Sequence, residues 1–309
     1  MTRARTCISV AAILIGTSAA CATTYKVYYL GGQSNMDGLG RFEELPASLN
    51  APVDDVMIYH GSTAPDGVAP GGRGVWAELR PGHGVDFRSD GESNQYGARF
   101  GVELSFARRL REIDPDSNIA IIKYSRGGTS IDAAAAGRAG CWDPDFDGGA
   151  GAGKGINQYD HFLATLRNAF AVRDIDGDGE DDELIPAGII WMQGESDAAH
   201  SAEVAGRYGA NLDRLMDLIR AALRVDDLPV VIGRISDSGR DDDGVIWTHG
   251  ETVRAAQAAY CESDPAATLV TTTDSYGYSD PYHYDTEGYL DLGRTFADAI
   301  HALETQAND

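Results

Sequence analysis

The chain has 309 residues, of which 43% are apolar and 24% charged, and its 48 acids against 25 bases give a formal charge of −23. That apolar content excludes a disordered chain. The acidic excess excludes a nucleic-acid or anionic-membrane binder and favours divalent cations.

Residues 1–22 resemble a secretory leader. Arg3 and Arg5 precede an apolar run over 7–16, too short to span a bilayer, and Ala20-Cys21-Ala22 supplies a small-x-small cleavage pattern. Cleavage after Ala22 predicts a secreted or periplasmic protein. The alternative, a lipid anchor on Cys21, is weakened by Ser18, which stands where a larger aliphatic residue is preferred. No other segment approaches membrane-spanning length. Losing two arginines and no acids takes the charge from −23 to −25. The remaining residues, 23–309, suit one domain. Of the four cysteines, Cys141 and Cys261 lie outside the leader. Two cysteines in an exported chain could form one disulfide, and the sequence does not show whether they meet.

The first expected strand, 26–30, runs into Gly31-Gly32-Gln33-Ser34-Asn35-Met36. An additional strand is expected over 55–59, and a Gly-, Pro- and charge-rich insert covers 61–94. Phe100, Leu104, Ala107 and Leu110 share a helical face. A second strand, 118–124, leads into Ser125-Arg126-Gly127-Gly128-Thr129-Ser130, and a second insert covers 137–155. A helix around Phe162, Leu166 and Ala169 precedes a third strand, 187–192, which is followed by Gln193-Gly194-Glu195-Ser196-Asp197. The stripe Leu212, Leu215, Leu218 and Leu223, strand 229–235, helix 253–260, strand 268–273 and helix 289–302 complete the series. The strands are short and apolar on both faces, as parallel strands covered by helices should be. This alternation predicts an α/β fold: a three-layer α/β/α sandwich on a central parallel sheet of about five strands. Inserts of this length are either surface decoration or the walls of a cleft.

Ligands of open parallel sheets bind beyond the carboxyl ends of the strands. The residues there permit acyl transfer. Ser34 can be the nucleophile, His283 the base and Asp280 the acid that orients it. The Ser34 N–H, a Gly127 or Gly128 N–H and the Gln193 amide can receive the oxyanion. On this reading, Gly31 and Gly32 let the acyl group approach. Competitors remain: Ser196 in an elbow-like Gly-Glu-Ser-Asp-Ala, Ser125 and Ser130 at a strand end, and Asp285 or Asp274 for the acid.

"GGQSNMDG", "YSRGGTSI", "WMQGESDA" and "DPYHYDTEGYLDLGRTFADAI" together resemble the SGNH/GDSL hydrolases, and within them the sialate O-acetylesterase-like group that includes carbohydrate esterase family six. The resemblance runs from Tyr25 to Ala302. It implies a flavodoxin-like sandwich and a serine esterase that removes acetyl groups from carbohydrates without a catalytic cofactor. It assigns Ser34, Asp280 and His283 to the triad, and Gln193 with a glycine of the Gly127-Gly128 pair to the oxyanion site. Arg126 departs from the small residue expected before the glycines. It either meets an anionic sugar or pairs with a surface acid, and the acidic surface favours pairing.

Residues 174–182, "DIDGDGEDD", have the character of a short extracellular calcium loop. Asp174, Asp176, Asp178, the Glu180 carbonyl and Asp182 are the candidate ligands, although Ile185 stands where an EF-hand has Glu. The loop should lie at the amino end of the sheet, away from the catalytic rim, in a structural role. Asp143, Asp145 and Asp147 form a poorer cluster of the same kind. The alternatives in function are a lipase-like or thioester-cleaving relative, and a non-catalytic calcium-dependent carbohydrate-binding protein. The sugar and the oligomeric state are not legible.

Overall fold

The computed structural model describes residues 22–62, 71–148 and 155–307. Residues 1–21, with nearly all of the expected leader, lie outside them. The strands are β1 (Thr24–Gly32), β2 (Val56–His60), β3 (Ala77–Glu78), β4 (Asn118–Ser125), β5 (Glu183–Met192), β6 (Val230–Gly233) and β7 (Ala267–Val270). They form one sheet in the order β7-β6-β5-β1-β4-β2-β3, parallel throughout except for β3, which pairs antiparallel with β2. Five of these, in the order β4-β1-β5-β6-β7, make the flavodoxin arrangement. β2 and β3 extend one edge, so the sheet has seven strands rather than about five. β3 escaped notice because two residues carry no periodicity.

Helices α1 (Glu103–Ile113), α2 (Gln158–Ala171), α3 (Ala202–Leu223), α4 (Gly250–Ser263) and α5 (Thr286–Ala307) cover the sheet. Neighbouring side chains on a strand point to opposite faces. The Tyr28 ring meets Phe106 of α1, and its hydroxyl donates to Glu304 of α5. The Tyr29 ring meets Phe162 of α2, which is tied to α3 through the Tyr159 hydroxyl and the Leu218 carbonyl. β1 is therefore sandwiched, with Val27, Tyr28, Tyr29 and Leu30 all buried. Local signals set the helix starts. The Asn157 side chain accepts from the Asp160 N–H at the head of α2, and Ser201 accepts from Val204 at the head of α3.

β1 has β4 on one side and β5 on the other, in long parallel register. The direction of the strand order reverses here, which opens a crevice at the carboxyl ends. Cys141, buried within the second insert, and Cys261 on α4 carry free thiols, so the disulfide left open by the sequence does not form.

Candidate active site

β1 ends on Gly32 at φ 142°, and a Cβ there would lie 2.0 Å from the Met192 carbonyl oxygen of β5. The glycine is required because two strands close on each other, not because an acyl group must approach. The Gln33 N–H then donates to that same oxygen at 2.9 Å, and the chain turns into a single helical turn, Ser34–Asp37. Gln33 Oε1 accepts from the Ser196 N–H at 3.2 Å and the Gly194 N–H at 3.4 Å, which pins the ends of β1 and β5 together.

Asn35 is buried and fully used. Its Oδ1 accepts from the Tyr289 hydroxyl at 2.9 Å, and its Nδ2 donates to Glu195 Oε1 at 2.8 Å and to the Tyr282 carbonyl at 3.3 Å. The segments that carry Ser34 and His283 are thus joined through the immediate neighbours of those residues. His283 Nδ1 lies 2.8 Å from Asp280 Oδ2, and Asp280 Oδ1 also accepts from the backbone N–H groups of Tyr282 and His283. Burial pushes the Asp280 carboxyl up, but the His283 contact and those N–H groups outweigh it and hold it below the usual carboxylate range. The rival acids are engaged elsewhere: Asp274 pairs with Arg234, and Asp285 accepts from the Gly288 N–H at the start of α5. The Ser34 hydroxyl makes no hydrogen bond to His283 among the described residues. Such bonds are often long before substrate binds and tighten in the complex.

The expected oxyanion donors divide. The Gln193 amide is fully buried and turned inward, and its Nε2 lies 2.7 Å from Asp197 Oδ2, 3.1 Å from the Thr129 carbonyl and 3.3 Å from Gln33 Oε1. It is a clamp between strand ends rather than a donor presented to the crevice. The Gly127 N–H donates to Asp37 Oδ2 at 3.2 Å. The Ser34 and Gly128 N–H groups have no acceptor among the described residues, and Gly128 has an open surface and φ 72°. A Cβ on Gly127 would come within 3.2 Å of Ser34 Cβ, so this segment lies directly against Ser34.

Five buried carboxylates went unassigned in the sequence: Asp132, which pairs with Arg207, and the four that follow. Asp37 accepts from the Ser125 hydroxyl as well as from Gly127; burial raises its carboxyl, and Lys123 and Arg126 pull it back. Asp197 accepts from the Ile131 and Asp132 N–H groups and from Gln193, and burial pushes it up to about 7. Glu195, behind His283, is also raised by burial, with Asn35 and the His283 charge opposing. Glu103 meets the fully buried Lys123 ammonium at 2.7 Å, and the same ammonium donates to the Asp37 carbonyl at 2.9 Å and the His83 carbonyl at 2.8 Å. A signal was present for most of them: Lys123 is a base inside an otherwise apolar strand, and Asp37, Glu195 and Asp197 follow Ser34 or Gln193 within four residues, whereas Glu103 at the head of α1 carries no such mark. Two of the serine competitors are committed elsewhere: Ser125 donates to Asp37 and Ser130 to the Asp132 carbonyl.

The first insert walls a cavity of about 240 Å³ beside the nucleophile turn, lined by Gly61, Ser62, Gly84, Val85, Phe87 and Arg88 against Asp37, His60, Ser125 and Arg126. His60 and His83, with Nδ1 atoms 3.3 Å apart, stack on Phe87 behind it. Burial and then Lys123 hold both imidazoles well below their ordinary range, and therefore neutral. Arg126 forms no ion pair among the described residues, against the expectation of a surface acid partner. The second insert supports the Gly127-Gly128 segment: Trp142 Nε1 donates to the Thr129 hydroxyl, and Cys141 bridges to Ser130.

At the opposite end of the sheet, the loop before β5 folds back on itself through Gly177 and Gly179, both at positive φ. Carboxylate oxygens of Asp174, Asp176 and Asp182 lie within 4.8 Å of one another. Asp178 and Glu180 are outside this group, and the Asp178 side chain accepts from the Glu180 N–H. Burial and the charges of Asp176, Asp178 and Asp174 raise the Asp182 carboxyl. Asp143 and Asp145 of the poorer cluster instead pair with Arg214.

Residues 24–302 match the family described as "carbohydrate esterase, sialic acid-specific acetylesterase". A 116-residue stretch is 34% identical to the probable carbohydrate esterase At4g34215 of Arabidopsis thaliana, covering 36% of this chain and 38% of that relative. The solved structure of the Arabidopsis protein superposes over 90% of this chain and 98% of its own, with a TM-score of 0.61 at 21% identity. XAC1771, a carbohydrate acetylesterase from Xanthomonas citri, superposes over 91% of this chain and 57% of its own, with a TM-score of 0.59 at 20% identity. The ordered motifs, the sheet and the strand-end geometry lead to one family, and the chain belongs to it: the carbohydrate esterases of the sialic acid-specific acetylesterase type.

Proposed function

We propose that the protein is an exported serine esterase that removes O-acetyl groups from carbohydrates. The observation that carries this reading is the Asp280–His283 pair, held against the Ser34 turn by the bond between Asn35 and the Tyr282 carbonyl. Ser34 Oγ attacks the acetyl carbonyl while His283 takes the hydroxyl proton. The new oxyanion is received by the Ser34 and Gly128 N–H groups. Collapse of the intermediate expels the sugar alkoxide, which takes the proton from His283 and leaves an acetyl-enzyme. Water, deprotonated by His283, then attacks the acetyl carbonyl, and acetate leaves as Ser34 is reprotonated. Asp280 orients the imidazole and stabilises its cationic form. Ser34→Ala should abolish release of acetate from acetylated glycans with the fold intact, and full activity in that variant would refute the mechanism. Arg126, which makes no ion pair among the described residues and lines the 240 Å³ cavity, favours a sugar acid among the substrates, as the family description suggests for its members.

A structural calcium ion is proposed at Asp174, Asp176 and Asp182. Three carboxylates this close repel one another unless a cation lies between them. Tyr25 of β1 donates to Asp176 Oδ2 at 2.9 Å, so the ion would brace the start of β1 against the start of β5. It supplies no step of the chemistry. Export rests on the residue pattern of 1–22, and sequencing the amino terminus of secreted material tests it.

A further inference from the structure

We infer that Tyr282, backed by Trp247, is a stacking platform for a sugar ring of the substrate. The inference rests on the carbohydrate-ester reading and assigns a binding surface to the same site. Tyr282 is 50% exposed, more than the other exposed large apolar side chains among the described residues, and it immediately precedes His283. Its ring lies 5.7 Å from that of Trp247 at 43°, and 6.1 Å from the His283 imidazole, nearly edge-on.

Polar contacts unrelated to its own ring fix it in this exposed position. Its N–H donates to Asp280 Oδ1, the carboxylate that also holds His283, and its carbonyl accepts from Asn35, the residue after the nucleophile. Ser238 donates to the adjoining Pro281 carbonyl at 2.8 Å. Trp247 is held just as firmly: its Nε1 donates to the Ser236 carbonyl, and its N–H and that of Ile246 donate to the Asp237 carboxylate. The Tyr282 hydroxyl has no partner among the described residues.

An exposed aromatic ring gains nothing in stability from facing water. Here the backbone bonds that assemble the acid–base pair also dictate the exposure, one residue from the base. An acetyl carbon at Ser34 places the sugar that bears it, or its neighbour in a chain, over this rim. The apolar C–H face of a pyranose then has an aromatic face to cover, which is the use to which half-exposed Tyr and Trp are suited.

The test compares peracetylated cellobiose and peracetylated methyl xyloside with vinyl acetate, an ester that carries no ring. The readout is the ratio of kcat/KM for the sugar ester to that for vinyl acetate, taken within each variant. Tyr282→Ala should lower the ratio about tenfold, with the loss mainly in KM. Tyr282→Leu, which keeps apolar packing on Trp247, should lose most of it, and Tyr282→Phe should retain it. Equal losses on both esters, or an unchanged ratio in Tyr282→Ala and Tyr282→Leu, would overturn the platform while leaving the esterase reading in place. A wild-type enzyme that cleaves vinyl acetate through Ser34 but neither sugar ester would overturn the carbohydrate reading and the platform together.

Discussion

Replacing Gln193 by alanine separates two roles that the sequence cannot tell apart. As an oxyanion donor, the amide would act only when charge develops, and its loss would cost about 3 kcal/mol of transition-state stabilisation with the fold untouched. The structure assigns it a different load. Its Nε2 bonds Asp197 Oδ2 at 2.7 Å and the Thr129 carbonyl at 3.1 Å, and its Oε1 accepts from Tyr208 at 3.2 Å, all without solvent. Each buried hydrogen bond contributes about 1 kcal/mol, and an orphaned buried partner costs about 1–3 kcal/mol more. Gln193→Ala should therefore lose about 3–4 kcal/mol of stability. For a chain of this length that corresponds to a fall in Tm of roughly 5–7 °C. Calorimetry gives the shift, and esterase kinetics well below the transition should show kcat reduced by less than about tenfold, short of the hundredfold loss typical of a missing oxyanion donor. Because Gln193 and Asp197 share one bond, the losses from Gln193→Ala and Asp197→Asn should be non-additive in a double-mutant cycle. An unchanged melting curve with kcat down a hundredfold or more would refute the clamp and return the amide to the oxyanion.

Asp197 also sets a pH dependence. Its carboxyl is raised from an ordinary 3.8 to about 7, so the folded state holds a proton that the unfolded state has released. The stability it contributes is complete below about pH 4 and is lost as pH rises to about 7; Asp197→Asn should flatten that part of a plot of Tm against pH. Gly32→Ala should give little soluble protein, because its Cβ would lie 2.0 Å from a backbone carbonyl at a φ of 142°; a yield equal to that of the unaltered protein would refute the reasoning. Chelation of calcium should lower Tm, by about 2.7 kcal/mol of lost stabilisation if free calcium stood at a hundred times Kd, while turnover at low temperature persists. Asp176→Ala should lower Tm and abolish the response to added calcium, and loss of turnover on chelation without a change in Tm would place the ion at the catalytic rim.

The strands that carry the chemistry were legible because burial on both faces leaves an unbroken apolar run, as in Val27–Leu30 and Ile119–Ile122. The strand ends were legible because glycine, amide and hydroxyl residues interrupt those runs abruptly. Roles within the strand ends were not. Gln193 and Gly127 are the right residue types for oxyanion donors, yet their N–H groups are committed to Asp197 and Asp37. Such commitments are long-range pairings, and no local pattern encodes them. The same holds for Tyr282, whose exposure follows from bonds to Asp280 and Asn35, the latter far away in the chain.

Lys123 has a consequence for how this chain could be shortened. Its ammonium spends all three protons, one on Glu103, one on the turn that carries Ser34 and one on the first insert at His83. Trimming the insert past His83 would strand a charged donor in the interior, which is far more damaging than losing a surface loop. The insert and the nucleophile turn are in effect riveted together. Shortening the insert calls for replacing this lysine and Glu103 together, most simply by apolar residues of similar volume. A deletion made without that double replacement would weaken the protein at the Ser34–Asp37 turn rather than at its edge.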